Sequence, residues 1–318
     1  MADLTRERRP LGGLSVSPLC LGGNVFGWTA DEPGSFAVLD AYTAHGGNFI
    51  DTADVYSAWV EGNSGGESET VLGNWLAERG SRVRDGIVLA TKVGAHPEYT
   101  GLAARTVKSA VEESLRRLRT DHIDLLYTHY DDESVEVSEI ITALDDLVRS
   151  GKVREIAASN ITPARLDASL AFSEEFGLAR YVGLQPHYNL VSRETYEGEL
   201  QDVAARYGLG VMPYYSLASG FLTGKYRPGA APESARAASA SQHLATERGQ
   251  RVLRALDEVA QARHVSPATV ALAWLLARPT VTAPVASART PEQLPALMAV
   301  AEVTLTEDEV ARLTEASA

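Results

Sequence analysis

The sequence predicts an α/β fold, a closed (β/α)8 TIM barrel with an N-terminal β-hairpin and an additional C-terminal helix. Three observations support this prediction. Short apolar runs alternate with helical patterns eight times, no break in composition divides the 318 residues, and polar side chains follow most of the apolar runs. We therefore expect residues 1–318 to form a single domain.

The predicted strands begin with a hairpin, since Gly12 and Gly13 permit a tight turn between the apolar residues that flank them. The later strand candidates are short apolar runs bounded by polar or turn residues. They lie at 18–23, 48–51, 87–91, 123–127, 153–158, 182–185, 210–214 and 281–285.

The helical patterns place apolar residues at intervals of three and four. They lie at 35–45, 67–79, 103–118, 137–150, 163–176, 195–207, 246–277 and 290–300. Ser266 and Pro267 indicate an N-cap and a first helical position, so 246–277 is expected to be two helices. Thr306 and Glu309 form a capping box that begins a last helix. The aperiodic stretch 226–245 is predicted to be a mobile loop.

The composition excludes several kinds of partner. A net charge of −13 opposes binding to nucleic acid or to an anionic membrane surface. No apolar run is long enough for a membrane span, and the first residues lack a signal-peptide core. The single cysteine, Cys20, excludes an internal disulfide. We expect a cytoplasmic protein that acts on a small molecule; its oligomeric state stays open, and a monomer would suffice.

Ionisable side chains follow three consecutive predicted strands. Asp51 and Tyr56 come after the second barrel strand, Lys92 after the third and His129 after the fourth. In a barrel of parallel strands these ends meet at one mouth. Tyr56 can give a proton to a carbonyl oxygen if Lys92, held by Asp51, lowers the pKa of the phenol. Neutral His129 can orient the same oxygen.

No side chain supplies a hydride, so this chemistry requires a nicotinamide cofactor. Tyr215 offers a flat face for the ring, and Ser159, Asn160 and Gln185 can bond its carboxamide. The seven histidines show no metal-ligand spacing, so no metal site is predicted. No Gly-x-Gly-x-x-Gly follows a strand, which disfavours a Rossmann dehydrogenase.

The chain resembles the aldo-keto reductases, specifically their bacterial and potassium-channel-β-like branch, nearly from end to end. The stretches that carry the resemblance are 11–17 (LGGLSVS), 48–56 (NFIDTADVY), 90–92 (ATK), 123–129 (IDLLYTH), 151–160 (GKVREIAASN), 185–189 (QPHYN) and 215–225 (YSLASGFLTGK). The resemblance implies that Asp51, Tyr56, Lys92 and His129 are the catalytic tetrad. It likewise implies nicotinamide contacts for Ser159, Asn160, Gln185 and Tyr215.

The resemblance also implies residues for the rest of the cofactor. A loop over the pyrophosphate contains Ser216, Leu217, Ser219, Gly220 and Lys225, and the 2′-phosphate and adenine end has Ser287, Arg289 and Gln293. NADP(H) is therefore the predicted cofactor, with NAD(H) open. Two positions depart from the family pattern: Leu217 follows Ser216 where proline is usual, and the usual adenine-contacting Asn is absent, replaced by the stretch that begins at Pro295. The predicted substrate pocket contains Trp28, Trp59 and Tyr130.

Other interpretations stay open at this point. Asp51 and Lys92 can be a structural buried pair, Gln185 can satisfy backbone groups, and Arg289 can be an ordinary surface residue. The predicted reaction is NADPH-dependent reduction of aldehydes or ketones. The alternatives are an alcohol or sugar dehydrogenase working in the oxidative direction, and a cofactor-binding regulatory subunit with little turnover.

Overall fold

The computed structural model describes residues 1–227 and 237–318. The predicted (β/α)8 barrel is confirmed. The strands are β1 (Arg9–Leu11), β2 (Leu14–Val16), β3 (Cys20–Gly22), β4 (Phe49–Asp51), β5 (Val88–Val93), β6 (Ala95–His96), β7 (Tyr99–Thr100), β8 (Ile123–Thr128), β9 (Val153–Ser159), β10 (Tyr181–Gln185), β11 (Gly210–Val211) and β12 (Val285–Ala286).

Helices separate the barrel strands and cover their outer faces. They are α1 (Glu32–Ala44), α2 (Glu67–Arg79), α3 (Ser81–Asp85), α4 (Ala104–Leu118), α5 (Val137–Arg149), α6 (Pro163–Phe176), α7 (Glu199–Arg206), α8 (Ala237–Leu244), α9 (Glu247–Arg263), α10 (Pro267–Leu276), α11 (Leu294–Met298) and α12 (Glu307–Ala316). Short 3-10 turns lie at Leu4–Arg6, Ala218–Thr223, Pro291–Gln293 and Ala299–Glu302.

The eight barrel strands form one parallel sheet in the order β11-β10-β9-β8-β5-β4-β3-β12. Its two ends are joined by hydrogen bonds. The Val285 N–H donates to the Pro213 carbonyl at 2.9 Å, and the Thr282 N–H donates to the Val211 carbonyl at 2.8 Å. The sheet therefore closes on itself, and the carboxyl ends of its strands surround one mouth.

The opposite end of the barrel is covered by the predicted hairpin, β1 and β2, which pair antiparallel. Leu11 and Leu14 of the hairpin belong to the same buried cluster as inward-facing barrel residues such as Phe49 and Leu125. A larger apolar core lies between the strands and the helices. Apolar contacts on both faces explain why the barrel strands have no polar alternation.

Several predicted boundaries are wrong. The strands expected at 210–214 and 281–285 are reduced to β11 and to β12, and the helix expected at 290–300 is divided into 3-10 and α segments. The predicted loop 226–245 contains helix α8, while its residues 228–236 lie outside the described residues. Among the described residues, no helix is long and apolar enough to cross a membrane.

Candidate active site

Asp51, Tyr56 and Lys92 are in direct contact at the mouth of the barrel. The Lys92 ammonium donates to Asp51 Oδ2 at 2.6 Å, to the Thr52 carbonyl at 2.9 Å and to the Tyr56 hydroxyl at 2.8 Å. These three acceptors use all three N–H groups of a lysine ammonium. Lys92 and Asp51 are both 1% exposed, so the ion pair is removed from solvent.

The orientation of the Tyr56 hydroxyl follows from this contact. Its oxygen accepts from Lys92, so its proton remains available for a second partner. The Asp51 carboxylate lies 3.5 Å from the same hydroxyl, at the limit of a hydrogen bond. A proton on Tyr56 can therefore be presented to a molecule at the mouth.

The expected direction of the Tyr56 pKa shift is wrong. Burial, followed by the negative charge of Asp51, raises the pKa of the phenol well above its usual value. The sequence suggested that Lys92 would lower this pKa, but Asp51 lies in the same buried cluster and opposes ionisation of the phenol. Tyr56 is thus held in its protonated form at neutral pH.

His129 lies beside the phenol, with ring centroids 6.0 Å apart. Burial, together with the positive charge of Lys92, lowers the pKa of His129 to about 3. Its Nδ1 atom is buried without a hydrogen-bond partner among the described residues. The imidazole is therefore neutral at physiological pH, as the sequence predicts, and can donate a hydrogen bond through one ring nitrogen.

Gln185 contacts Asp51 directly, which the sequence does not predict. Its side-chain amide donates to Asp51 Oδ1 at 3.0 Å, so both carboxylate oxygens of Asp51 accept from buried donors. Gln185 is 1% exposed. Its role in the structure therefore includes holding Asp51, in addition to any contact with a cofactor amide.

Ser159 and Asn160, at the end of β9, are bonded to their neighbours. The Asn160 amide donates to the His129 carbonyl at 2.8 Å and to Ser159 Oγ at 3.0 Å, while Ser159 donates to the Gln185 carbonyl at 2.8 Å. Tyr214 donates to Asn160 Oδ1 at 2.8 Å. The sequence did not suggest Tyr214, because a tyrosine beside Tyr215 carries no motif of its own.

Tyr215, a predicted nicotinamide contact, and the residues predicted to contact the remainder of the cofactor follow β11 and β12. The Tyr215 ring is 48% exposed, and its backbone is left-handed, as are Ala218 and Ser219 (φ 53°, 47° and 57°). Such strained non-glycine residues concentrate at ligand-binding loops. The Ser216 hydroxyl is buried and donates to the Pro213 carbonyl, so the structure does not bring it to the mouth.

The other residues of this group differ in exposure. Lys225, Arg289 and Gln293 are exposed, whereas Leu217, Ser219, Gly220 and Ser287 are half-buried. The Arg289 N–H donates to Gln293 Oε1 at 2.8 Å, and Ser287 donates to Asn24 Oδ1 at 2.7 Å. Ser287 and Arg289 follow β12, the strand that pairs with β3.

Aromatic rings surround the hydroxyl of Tyr56 on the β3–β8 side. The Trp59 ring lies 6.2 Å from that of Tyr56 and meets Trp28 edge-on at 5.6 Å. Tyr130 stacks on His129 at 4.9 Å. Trp59 is 51% exposed and Tyr130 is 55% exposed, so both side chains are accessible to a molecule at the mouth. The structure places Trp59 beside Tyr56 and Tyr130 beside His129, while Trp28 contacts Trp59.

A second buried charged cluster, which was not predicted, connects α2, α4 and β5. Glu69 pairs with Arg117 at 2.7 Å and accepts from Thr91 at 2.5 Å. Asp54 is fully buried nearby, and burial followed by the charge of Glu69 raises its pKa to about 8.

Among the described residues, no group of three or more His, Cys, Asp or Glu side chains is arranged to hold a metal ion.

Comparison with known proteins identifies the family to which the chain belongs. The model of the Aldo/keto reductase family matches residues 18–318. Similar proteins include the oxidoreductase YrpG of Bacillus subtilis (36% identical, covering 92% of this chain and 90% of the relative) and protein tas of Escherichia coli (31% identical, covering 96% of each). Norsolorinic acid reductase B of Aspergillus parasiticus is 32% identical, covering 96% of this chain and 82% of the relative. The chain therefore belongs to the aldo/keto reductase family.

Proposed function

We propose that this protein is an NADPH-dependent reductase of aldehydes and ketones, with Tyr56 as the proton donor. The observation that carries the proposal is the contact between Lys92 and Tyr56. Because Lys92 donates to the phenol oxygen at 2.8 Å and Asp51 lies at the 3.5 Å limit for accepting from it, the phenol proton can be given to a second acceptor. A carbonyl oxygen at the mouth is a suitable acceptor for that proton.

Each side chain of the site has a separate role in the reaction at the carbonyl group. A bound dihydronicotinamide supplies the hydride to the carbonyl carbon. Tyr56 gives its proton to the oxygen, and Lys92 stabilises the phenolate that this leaves. Neutral His129 donates a hydrogen bond that orients the oxygen beforehand. Asp51, held by Gln185 at 3.0 Å, keeps Lys92 in place.

The residues across the mouth fit a dinucleotide. Tyr215 presents a half-exposed ring on which a flat ring can stack. Lys225 and Arg289 are exposed cations that can bind phosphates, and Ser287 lies beside Arg289. Arg289 in particular favours a 2′-phosphate, which supports NADPH over NADH.

The protonated state of Tyr56 supports its proposed role as proton donor. Burial and Asp51 raise the pKa of the phenol, so its protonated form, which can donate to a carbonyl oxygen, predominates at neutral pH. The intact contacts of Asp51, Lys92 and Tyr56 also favour an enzyme over a regulatory subunit with little turnover.

The proposal is tested by following NADPH oxidation by the purified protein with a panel of aldehydes and ketones. We expect carbonyl-dependent oxidation that is faster with NADPH than with NADH. In Arg289→Ala, KM for NADPH should rise about tenfold while KM for NADH changes little, since only NADPH has the phosphate. Absence of turnover with every carbonyl contradicts the proposed function, and equal effects on both cofactors contradict the role of Arg289.

A further inference from the structure

The barrel mouth is divided by charge. Four segments follow β3, β4, β5 and β8, at 23–31, 52–66, 94–103 and 129–136, and none contains a lysine or arginine. Their acidic residues are Asp31, Glu61, Glu98, Asp131, Asp132, Glu133 and Glu136, together with Asp54, which is mostly uncharged at neutral pH because burial raises its pKa to about 8. Lysine and arginine residues instead follow β10, β11 and β12, where Arg193, Lys225, Arg227 and Arg289 lie.

The acidic charges of this half are only partly neutralised. Asp131 pairs with Arg165 of α6 at 2.8 Å. Hydrogen bonds from Ser134 and from the Leu102 N–H lower the pKa of Asp132 and keep it ionised. Glu61 and Glu133 are exposed. A negative potential therefore extends over the half of the mouth that contains Tyr56 and His129.

Aromatic side chains occupy the same half. The exposed faces of Trp59 and Tyr130 lie on either side of the pair formed by Tyr56 and His129. Flat rings of this kind attract aromatic molecules through stacking and apolar contact. Loops that carry acidic residues and contain no lysine or arginine oppose the approach of a carboxylate or a phosphate.

We propose that this half of the mouth selects uncharged, flat aromatic aldehydes and ketones, and that it rejects carbonyl compounds that carry a carboxylate or a phosphate. This inference rests on the proposed reductase function and specifies its substrate class. Trp59 and Tyr130 then act as specificity-determining residues, and Glu61 and Glu133 contribute to the exclusion of anions.

The test uses matched probes with NADPH at a fixed, saturating concentration. Methyl 4-formylbenzoate and 4-formylbenzoate share a ring and an aldehyde, and differ in one negative charge. We expect kcat/KM to be at least about tenfold higher for the ester, with the difference decreasing as salt is added. In a second comparison, kcat/KM should be higher for benzaldehyde than for cyclohexanecarbaldehyde, because the ring of cyclohexanecarbaldehyde is not flat.

Two sets of variants separate charge from stacking. In the double variant Glu61→Lys and Glu133→Lys, the kcat/KM for the ester divided by that for the carboxylate should fall by about fivefold or more, because two negative charges become positive. Trp59→Ala should reduce kcat/KM for benzaldehyde more than for cyclohexanecarbaldehyde. Tyr130→Leu, which keeps apolar bulk, should act in the same direction.

The outcomes are distinguishable. NADPH oxidation that is as fast with the carboxylate as with the ester overturns the inference and leaves the reductase function standing. The inference is also overturned if the ester-to-carboxylate ratio of kcat/KM is unchanged in the double variant. It is likewise overturned if Trp59→Ala lowers kcat/KM equally for benzaldehyde and cyclohexanecarbaldehyde. No oxidation with any probe overturns both proposals.

Discussion

At the scale of single residues, the buried ammonium of Lys92 organises the site. An isolated charge in this position would be costly, since Lys92 is 1% exposed. The cost is offset by three acceptors, Asp51 Oδ2, the Thr52 carbonyl and the Tyr56 hydroxyl. The same arrangement that satisfies the ammonium also fixes the phenol, so stability and positioning depend on the same contacts.

The sequence predicted which residues gather at the mouth, but not what they do to one another. Asp51, Tyr56, Lys92 and His129 could be placed because each follows an apolar run, and parallel strands end together. The pKa of Tyr56 and the contact of Gln185 with Asp51 depend on burial and on distances across the barrel. Neither is encoded in local residue patterns.

Asp54 gives a prediction about pH at this scale. Its carboxylate faces the Gly94 and His96 N–H groups without a hydrogen bond of normal geometry, and burial raises its pKa to about 8. The folded protein thus binds a proton that the unfolded chain releases near pH 4. As pH rises from about 4 to about 8, the free energy of unfolding of the wild type should fall relative to that of Asp54→Asn, by up to about 1.4 kcal/mol per pH unit.

Urea unfolding of both proteins at several pH values measures this difference. The wild type should lose stability relative to the variant as pH rises, and the difference should level off above the folded pKa. Asp85→Asn, at an exposed position, is the control, and its difference from the wild type should be small throughout. A difference between wild type and Asp54→Asn that is constant with pH would show that Asp54 is already ionised in the folded protein.

At the scale of elements, helices α2 and α4 approach each other closely at Gly73. A Cβ atom there would lie 2.0 Å from the Arg117 carbonyl oxygen and 2.9 Å from the Leu118 carbonyl carbon. Both are backbone atoms of α4, so a side-chain rotation cannot relieve the contact. The two helices also carry Glu69 and Arg117, whose buried ion pair joins them at 2.7 Å.

Gly73→Ala should therefore destabilise the protein, although alanine favours helix formation. Separating two helices usually costs roughly 1–3 kcal/mol, which exceeds the gain in helix propensity of up to about 1 kcal/mol. Thermal unfolding should show a lower midpoint than in the wild type. Ala77→Ser, at an exposed position of α2, should change the midpoint only slightly. An unchanged or higher midpoint in Gly73→Ala would mean that the helices do not meet as closely as described.

Elements were predicted well where the local pattern is strong. The boundaries of α2, α4, α5 and α6 agree with the predicted helices to within one residue, and the capping box of Thr306 and Glu309 is present in α12. The hairpin of β6 and β7 was missed because two-residue strands have no periodicity to detect. Helix α8 was missed since its alanines and serines give little amphipathic contrast.

At the scale of the whole molecule, closure of the barrel brings distant segments together. The eight alternating units predicted the fold, and short right-handed connections leave few other topologies. The closing contacts, Val285 with Pro213 and Thr282 with Val211, lie within the predicted runs 210–214 and 281–285, but the local pattern does not encode which residues bond across the closure. Closure places the cations after β11 and β12 opposite the acidic segments after β4 and β8.

The central claim is that this closure delivers a protonated Tyr56 to a carbonyl oxygen. The most direct measurement compares kcat and the Kd for NADPH in the wild type and in Tyr56→Phe, which removes one hydroxyl and keeps the ring. We expect kcat to fall about 100-fold or more with little change in Kd, because only the proton donor is lost. Turnover by Tyr56→Phe at the wild-type rate would contradict the proposed role of Tyr56 and the mechanism that depends on it.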